Sequence, residues 1–503
     1  MADPKPYAEP TPLTGGALLL GGLLLAAANF LVVLDLTIAN VAVPHIAGGL
    51  AVSPTQGTYV ITSYAIAEAI SVPLTGWLAG RFGMVRVFVL GMVGFGLCSA
   101  LCGMAPTLGL LVLFRVLQGL CGGPLMPLSQ TLLLKIFPRE KHGMAIGIWS
   151  MTTLVAPIMG PILGGALCDG IGWPSIFLIN VPIAVVCGYF GWRLLKSQET
   201  PIAPKTRFDT VGLILMIVWV AALQLMLDEG KTRDWFASPV IVVLGLTAAI
   251  FFVAFLIWEL TEENPIIPLH VFKRRGYTAA VVTLCVAFAA MFGANVLTPL
   301  WLQSFMGYTA TTAGYAMAMS GMSAVVMAPM VAQLSTRVDP RRLVFFGMTV
   351  LGTVAYFRGH SATDMTFWQV AEPLLIMGIG MPFLFIPLTS LALSSVDPKD
   401  MAGAAGLMNF SRTLTGAFAV SVITTQWENG ATHNRAELAG AIHLESLPAG
   451  SDTSLLDHLV QSQAVMLATN HTFLAVTALF ALAGAVVWLA PKPVRAAATV
   501  GAH

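Results

Sequence analysis

The sequence predicts an all-α integral membrane protein in which two six-helix bundles are related by an internal repeat. Three observations support this prediction. Of the 503 residues, 57% are hydrophobic and only 10% are charged, whereas about a quarter of the residues of a water-soluble domain are charged. Apolar runs of about 20 residues, long enough to cross a bilayer, recur from residue 14 to residue 490. A segment near residue 127 reappears near residue 387.

The apolar runs between charged or Gly/Pro-rich breaks define fourteen predicted spans. They cover residues 14–43, 56–79, 86–105, 107–134, 143–167, 173–194, 209–228, 237–259, 276–304, 312–334, 342–360, 367–393, 403–425 and 470–490. When the loops are assigned alternately to two sides, most of the 25 Lys and Arg residues fall on one side, which marks the cytoplasm. We therefore expect both termini to be cytoplasmic. Residues 428–469 form the longest outer loop, either a flexible cover or a docking surface.

The internal repeat divides these spans into units. The segment PLSQTLLLKIFP at residues 127–138 reappears as PLTSLALSSVDP at residues 387–398. We predict an N-terminal bundle over residues 1–200, two inserted helices over residues 201–265 and a C-terminal bundle over residues 266–503. Repeated helical bundles are typical of secondary transporters, which place the cargo site at the repeat interface and alternate access by rocking one half against the other.

Composition also excludes several classes of function. A net charge of +1 argues against a nucleic-acid partner. The six cysteines lack the paired spacing of a metal site, and neighbouring histidines are absent. The catalytic constellation of an enzyme is missing too. We therefore expect a secondary active transporter that has no metal or organic cofactor.

Three of the charged residues within the predicted spans are candidates for proton coupling. Asp35 is the only charged residue between positions 10 and 67, and a charge at the centre of a membrane helix costs roughly 3 kcal/mol. We interpret Asp35 as the acid that exchanges protons, with a structural ion pair or a hydrogen-bonded cap as the alternative. Arg115 lies at a similar depth, so the two side chains are expected to share a cavity. Glu68 serves either in proton transfer or in lining the cavity.

The second repeat lacks both of the main charges. Asp35 corresponds there to a position near Asn295, and Arg115 corresponds to Leu375, so the proton pathway is predicted in the first half. Arg412 either attracts an anionic group of the cargo, balances an acid across the interface or is a hydrogen-bonded structural residue. The candidates for lining the cargo cavity are Asn40, Gln118, Asn295, Asn409 and Arg412.

Five stretches carry a resemblance to a known family. They are LDLTIANVAVP at 34–44, GWLAGRFGMVR at 76–86, LVLFRVLQG at 111–119, PIMGPILGG at 157–165 and NFSRTLTG at 409–416. In this order and spacing they are similar to the fourteen-helix drug:proton antiporters of the EmrB/QacA type, within the major facilitator superfamily, and closer to the EmrB branch. The resemblance covers nearly the whole chain and weakens in residues 428–469.

The resemblance implies the major facilitator fold and a function. It implies the export of hydrophobic or weakly acidic compounds across a bacterial inner membrane, with protons as the coupling ion. A periplasmic adaptor of the EmrA kind and an outer-membrane channel of the TolC kind are the implied partners. The alternative is a dedicated exporter of a single metabolite, a fatty acid or a lipid on the same scaffold.

Two glycine-rich motifs are predicted to take part in the conformational change. The first is a tight cytoplasmic turn, for which topology alone is a sufficient reason, and it departs from the family at Gly80 and Val85, where an acid and a base are usual. The second motif combines glycines, which have no side chain, with prolines, which have no backbone N–H. This combination allows a bend in the helix and close contact with a neighbouring helix, although packing alone explains it as well. The residues of the first motif are Gly76, Arg81, Gly83 and Arg86. Those of the second are Pro157, Gly160, Pro161, Gly164 and Gly165.

Overall fold

The computed structural model describes residues 13–199, 209–263, 265–397, 400–441 and 453–491. The described chain consists of α-helices joined by short turns and 3-10 segments. The helices are α1 Gly15–Gly49, α2 Pro54–Gly57, α3 Tyr59–Ser71, α4 Thr75–Phe82, α5 Met84–Gly103, α6 Leu108–Gly122, α7 Leu125–Ile136, α8 His142–Gly170, α9 Ser175–Leu178, α10 Asn180–Leu195, α11 Thr210–Glu229, α12 Pro239–Thr261, α13 Arg275–Ser304, α14 Ala310–Arg337, α15 Pro340–Arg358, α16 Phe367–Ser394, α17 Met401–Ala441 and α18 Thr453–Val486.

The all-α membrane class is confirmed. Within the described residues, ten helices are long and apolar enough to cross a membrane, and the bent α8 makes up to eleven. The spans predicted at 56–79, 342–360 and 403–425 are largely helical as well. Their helices are too short or too polar to count among these membrane-crossing candidates. The first of these three spans is broken into α2, α3 and α4. The fourteen predicted spans therefore agree with the helical segments, while only ten or eleven have the composition of a span.

Polar residues cap several helices where the spans begin. The side chains of Thr107, Asp209 and Thr309 each accept a hydrogen bond from a backbone N–H three residues later. Asp339 accepts one from the backbone of Arg341, and the Arg341 guanidinium lowers the pKa of the Asp339 carboxyl by hydrogen bonding to it. Such caps satisfy N–H groups that the first helical turn leaves free.

The second glycine-rich motif lies where α8 packs against α1. A Cβ atom on Gly160 would collide with Thr37 of α1, and one on Gly164 would lie 3.1 Å from Ile38. Helix α8 bends by 47° between Pro157 and residue 162, as expected for a proline within a helix. A Cβ on Gly165 would meet no atom within 4 Å. The side chain of Pro161 lies outside the described residues.

The two halves of the molecule approach each other closely at one end of the bundle. We call it the basic end, because Arg86 and Lys135 lie there. A Cβ atom on Gly76 of α4 would lie 2.7 Å from the Cα atom of Gly403 on α17, and one on Gly143 of α8 would lie 2.7 Å from a backbone oxygen of α14. Glycine permits this approach because it has no side chain. The halves are therefore closed against each other at the basic end.

The inserted pair, α11 and α12, packs between the halves. The ring of Trp219 on α11 lies 5.9 Å from the ring of Phe410 on α17. At the end opposite the basic end, Asp228 of α11 accepts a hydrogen bond from Thr62 of α3. Ser421 of α17 donates to a backbone oxygen of α11 at 3.0 Å. Helix α11 therefore contacts both halves.

Helices α17 and α18 extend into the predicted outer loop. Within residues 428–469, α17 continues to Ala441 and α18 begins at Thr453. The 41 residues of α17 correspond to about 60 Å at 1.5 Å per residue, about twice the thickness of a bilayer core. Trp427 Nε1 donates to Thr469 Oγ1 at 2.9 Å and ties the two helices together. The described part of residues 428–469 is thus helical, which hydropathy did not indicate because it does not detect polar helices.

Replacing Gly76 by valine is expected to open the basic end, because the new side chain would collide with the backbone at Gly403. In cysteine-free protein, we expect the distance between spin labels at Phe82 and Met401 to shift to longer values. Gly80→Val is the matched control on the same helix, since a Cβ there meets no atom within 4 Å. Identical distance distributions in the two variants would contradict the importance of this contact.

Candidate functional site

An ion pair between Asp35 of α1 and Arg115 of α6 lies inside the N-terminal half. Arg115 Nη1 donates to Asp35 Oδ2 at 2.5 Å, and both side chains are 0% exposed. The structure thus brings together the two residues that the sequence placed at a similar depth. Opposite charges attract more strongly where water is excluded, and about 4 kcal/mol is typical at 4 Å for an intermediate dielectric constant.

Amide side chains hold the second oxygen of Asp35. Asp35 Oδ1 accepts hydrogen bonds from Asn180 Nδ2 at 2.6 Å and from Gln118 Nε2 at 3.1 Å. Both amides also donate to Ser99 Oγ, at 3.0 and 3.2 Å. Because these side chains come from α1, α5, α6 and α10, the network joins four helices. Gln118, a predicted cavity residue, belongs to this buried network instead.

Aromatic rings cover the remaining faces of Arg115. The guanidinium lies 4.1 Å from the ring centre of Tyr64 and 5.5 Å from that of Phe177, distances at which a cation is attracted to a ring. Arg115 Nε donates to the backbone oxygen of Val60 at 3.0 Å. In this conformation Asp35 is sealed from water, so a proton reaches it only after the network opens. The two residues therefore form a buried ion pair in this conformation, and proton exchange by Asp35 stays a prediction.

A second group of residues, which we call the interface cluster, lies between the halves and contains Glu68, Met126, Trp149, Phe288 and Arg412. Arg412 of α17 donates to Met126 Sδ at 3.0 Å and faces the rings of Trp149 at 5.8 Å and Phe288 at 5.0 Å. It is 4% exposed, and its Nε has no hydrogen-bond partner in the described part of the chain. Because sulfur is a weak acceptor, Arg412 retains unused hydrogen-bonding capacity.

Glu68 of α3 lies between the ion pair and the interface. It is 7% exposed and close enough to Asp35, Arg115 and Arg412 to interact electrostatically with each. Among the described residues it forms neither an ion pair nor a hydrogen bond through its side chain. Glu68 is thus a buried acid without a fixed partner, whereas Asp35 is held by three donors.

An amide pair crosses the interface nearer to the basic end. Asn409 Nδ2 of α17 donates to Gln130 Oε1 of α7 at 3.2 Å. The other polar atoms of the two amides, Asn409 Oδ1 and Gln130 Nε2, have no partner among the described residues. The pair closes the interface between the cluster and the basic end.

The other predicted site residues occupy less distinctive positions. Asn40 is exposed on α1, and Asn295 is half-buried on α13. Neither has a hydrogen-bond partner through its side chain in the described ranges. Arg81 is half-buried at the end of α4. The structure therefore does not bring these three side chains into the ion-pair network.

The turn at residues 76–86, which is predicted to be cytoplasmic, is contacted by an acid from another part of the chain. Glu199, which follows α10, accepts hydrogen bonds from the backbone N–H groups of Val85 and Arg86, each at 3.0 Å. Its carboxylate also lies 3.8 Å from the Arg86 guanidinium. Gly83 has a φ of 94° and leaves the space that Glu199 fills. A carboxylate at a helix N-terminus is favourable, so Glu199 supplies the negative charge that is missing at Gly80.

The sequence analysis missed a buried arginine in the C-terminal half. Arg358 at the end of α15 is 5% exposed, donates to Thr298 Oγ1 at 2.7 Å and lies 4.0 Å from the ring centre of Phe473. Arg358 lies near the end of the span predicted at 342–360, a position from which an arginine side chain is expected to reach water. The C-terminal half therefore contains a buried charge of its own.

Comparisons with known proteins identify the family. The model of the Major Facilitator Superfamily matches residues 25–420. The chain belongs to this superfamily. This superfamily member is 40% identical over 497 residues to the multidrug export protein EmrB of Escherichia coli K12, covering 96% of the chain and 97% of that protein. It is 41% identical over 496 residues to the fatty acid resistance protein FarB of Neisseria gonorrhoeae, covering 96% and 98%.

Solved structures support the same fold for this superfamily member. The human organic anion transporter MFSD10 superimposes with a TM-score of 0.58 at 14% identity, covering 93% of this chain and 98% of that protein. The proton:xylose symporter XylE superimposes with a TM-score of 0.60 at 13% identity, covering 94% and 96%. At such low identity these likenesses establish the fold alone.

Removing one member of the Asp35–Arg115 pair is expected to destabilise the protein more than removing both. Asp35→Asn or Arg115→Gln leaves one buried charge without its partner, which typically costs about 3–5 kcal/mol, and the double variant should recover part of this loss. Apparent melting temperatures in detergent measure the effect, with Glu372→Gln, at an exposed residue of α16, as the control. Strictly additive losses in the double variant would show that the pair is not coupled.

Proposed function

We propose that this protein is a proton-coupled exporter of hydrophobic and weakly acidic compounds with fourteen transmembrane spans. It resides in a bacterial inner membrane with both termini in the cytoplasm. The observation that carries the proposal is the buried Asp35–Arg115 pair, since ionisable residues inside a membrane bundle are costly and mark ion pathways. The 40% identity to a multidrug export protein over nearly the whole chain supports export as the direction.

The proposed cycle alternates between two arrangements of the halves. The basic end corresponds to the cytoplasm, so the structure represents the conformation that is closed to the cytoplasm. Opening of the network to the outside lets a proton neutralise Asp35 and weakens its attraction to Arg115. When the halves rock back, Asp35 releases that proton into the cytoplasm. One proton moving through 100 mV releases about 2.3 kcal/mol, and each pH unit adds about 1.4 kcal/mol, which together sustain a cargo gradient of several hundredfold.

The interface cluster is the proposed cargo site. It offers apolar surface from Trp149 and Phe288 around one cation, Arg412. Ligand sites of this kind combine an apolar wall with few polar anchors. A dedicated fatty-acid exporter is the second candidate function, favoured by the 41% identity to FarB, the fatty acid resistance protein.

The protein is further proposed to work as the pump of a tripartite system. A periplasmic adaptor of the EmrA kind and an outer-membrane channel of the TolC kind would carry the cargo onwards. The paired ends of α17 and α18, which extend beyond the length of a span, offer a rigid surface on the outer side. Co-purification of the pump with a co-expressed adaptor, compared between the full chain and a variant with substitutions on these ends, tests this assembly.

Transport in proteoliposomes tests proton coupling. We expect an imposed pH gradient, alkaline on the side of the basic end, to drive radiolabelled aromatic compounds, uncharged and weakly acidic, towards the acidic side. Asp35→Asn is expected to lose gradient-driven transport while the folded fraction still allows downhill exchange, because the variant lacks the carboxylate that takes up the proton. Initial rates with and without the gradient provide the measurement.

The Glu372→Gln variant should transport like the wild type, because Glu372 is exposed on α16. Wild-type transport that ignores the gradient would refute proton coupling. Gradient-driven transport that survives in Asp35→Asn would refute the role assigned to Asp35. A wild type that moves only long-chain fatty acids from the panel would favour the dedicated exporter.

A further inference from the structure

Glu68 and Arg412 lie at similar depth on two facing helices. Helices α3 and α17 meet where a Cβ on Gly406 would lie 2.9 Å from the backbone oxygen of Val72. Counted from this contact and away from the basic end, Arg412 is six residues along α17 and Glu68 is four residues along α3. At 1.5 Å per residue these positions are about 9 and about 6 Å from the contact. The two side chains therefore differ in depth by about 3 Å.

The two charges attract each other without forming a direct pair. Each is within electrostatic reach of the other, but no ion pair joins them in the described structure. Among the residues that the structure describes, the guanidinium donates to the sulfur of Met126 alone, and the Glu68 carboxylate has no hydrogen-bond partner. A buried charge without a paired counter-charge is costly, so Arg412 gains from binding a third group that carries a negative charge.

Other charged groups around Glu68 are already engaged. Asp35 of α1 and Arg115 of α6 hold each other, and Tyr64 on α3 itself stacks on Arg115. Asp228, on the adjacent α11, accepts a hydrogen bond from Thr62. Within the described residues, Arg412 is therefore the cation that remains available to Glu68.

We propose that Glu68 competes with the anionic group of the cargo for Arg412, so that the interface cluster holds one negative charge at a time. The proposal rests on the proposed function, because it takes the interface cluster as the cargo site. It makes Glu68 a specificity-determining residue rather than a second member of the Asp35 pathway. A cargo carboxylate replaces Glu68 as the negative group that interacts with Arg412. An uncharged cargo leaves the interaction between Glu68 and Arg412 unchanged.

The sign of the pH dependence follows from this competition. In acidic solution Glu68 is neutral and leaves Arg412 to the cargo anion. In alkaline solution Glu68 is charged and competes for Arg412, so the anion binds more weakly. By linkage, binding of the anion then draws a proton onto Glu68. An uncharged cargo of the same shape shows neither effect.

Two probes of matched shape test the proposal, 1-naphthylacetate and its uncharged amide. Binding is measured by calorimetry in nanodiscs, in mildly acidic and mildly alkaline buffers and in buffers of different ionisation enthalpy, which report proton uptake. We expect the wild type to bind the anion about tenfold more tightly in the acidic buffer, the effect of about one unit of pKa, with proton uptake in the alkaline buffer. The amide should bind equally in both.

Variants separate the two members of the pair. Glu68→Gln should bind the anion tightly in both buffers and without proton uptake, and Glu372→Gln should behave like the wild type. Arg412→Gln should lose the preference for the anion over the amide, whereas Arg412→Lys should retain much of it. A monodisperse elution profile and the unchanged binding of the amide show that each variant is folded.

Three results would overturn the competition. They are equal wild-type affinity for the anion in both buffers, persistence of the pH dependence in Glu68→Gln, and an anion preference that survives in Arg412→Gln. Each of these leaves proton-coupled export intact, because the transport of uncharged compounds does not depend on Glu68. Failure of the wild type to bind either probe would reject the interface cluster as the cargo site, and the competition with it.

Discussion

The Asp35–Arg115 ion pair is the constraint around which the N-terminal half is organised. An arginine that is 0% exposed in an apolar bundle requires a negative partner and acceptors for its N–H groups. Arg115 donates to Asp35 of α1, to a backbone oxygen of α3 and to Gln118 of α6, while its Nη2 has no partner among the described residues. Asn180 of α10 and Ser99 of α5 hold Asp35 and Gln118 in place. Gly119 allows the approach of α3, since a Cβ there would lie 2.6 Å from the backbone oxygen of Tyr64. The half is consequently tied into one unit that can rock as a whole.

The interface cluster has the opposite character, and this contrast is the basis of the separate roles that we propose for the two groups. Asp35 has every oxygen engaged, so any change in its proton occupancy must disturb four helices. Glu68 and Arg412 sit on separate halves and lack strong partners, so their separation changes whenever the halves move. A closely paired charge inside one unit suits the coupling of protons to the whole conformation. A loosely paired charge across two units suits the recognition of a ligand that enters between them.

Sequence reasoning located the charged residues well, because a charge in an apolar run is conspicuous at any position. Burying a charge in a membrane helix is costly, which predicted a function for four residues that the structure shows to be buried: Asp35, Arg115, Glu68 and Arg412. Sequence reasoning did not find the groups that complete the network, since Ser99 and Asn180 are unremarkable polar residues whose role depends on contacts between distant helices. The role of Glu199 was not predicted for the same reason. The polar extensions of α17 and α18 were not predicted because hydropathy detects apolar runs rather than helices.

The inserted helices add a condition to any rocking motion. Helix α11 is bonded to α17 through Ser421 and to α3 through the Thr62–Asp228 hydrogen bond, so it cannot follow one half without straining its contact with the other. Trp219 of α11 also packs edge-to-face against Phe410 of α17 within a buried apolar cluster. The buried apolar cluster that contains Trp219 includes Ala69 and Ile70 of α3 as well as Phe410 of α17, so the packing of α11 resists separation from either half.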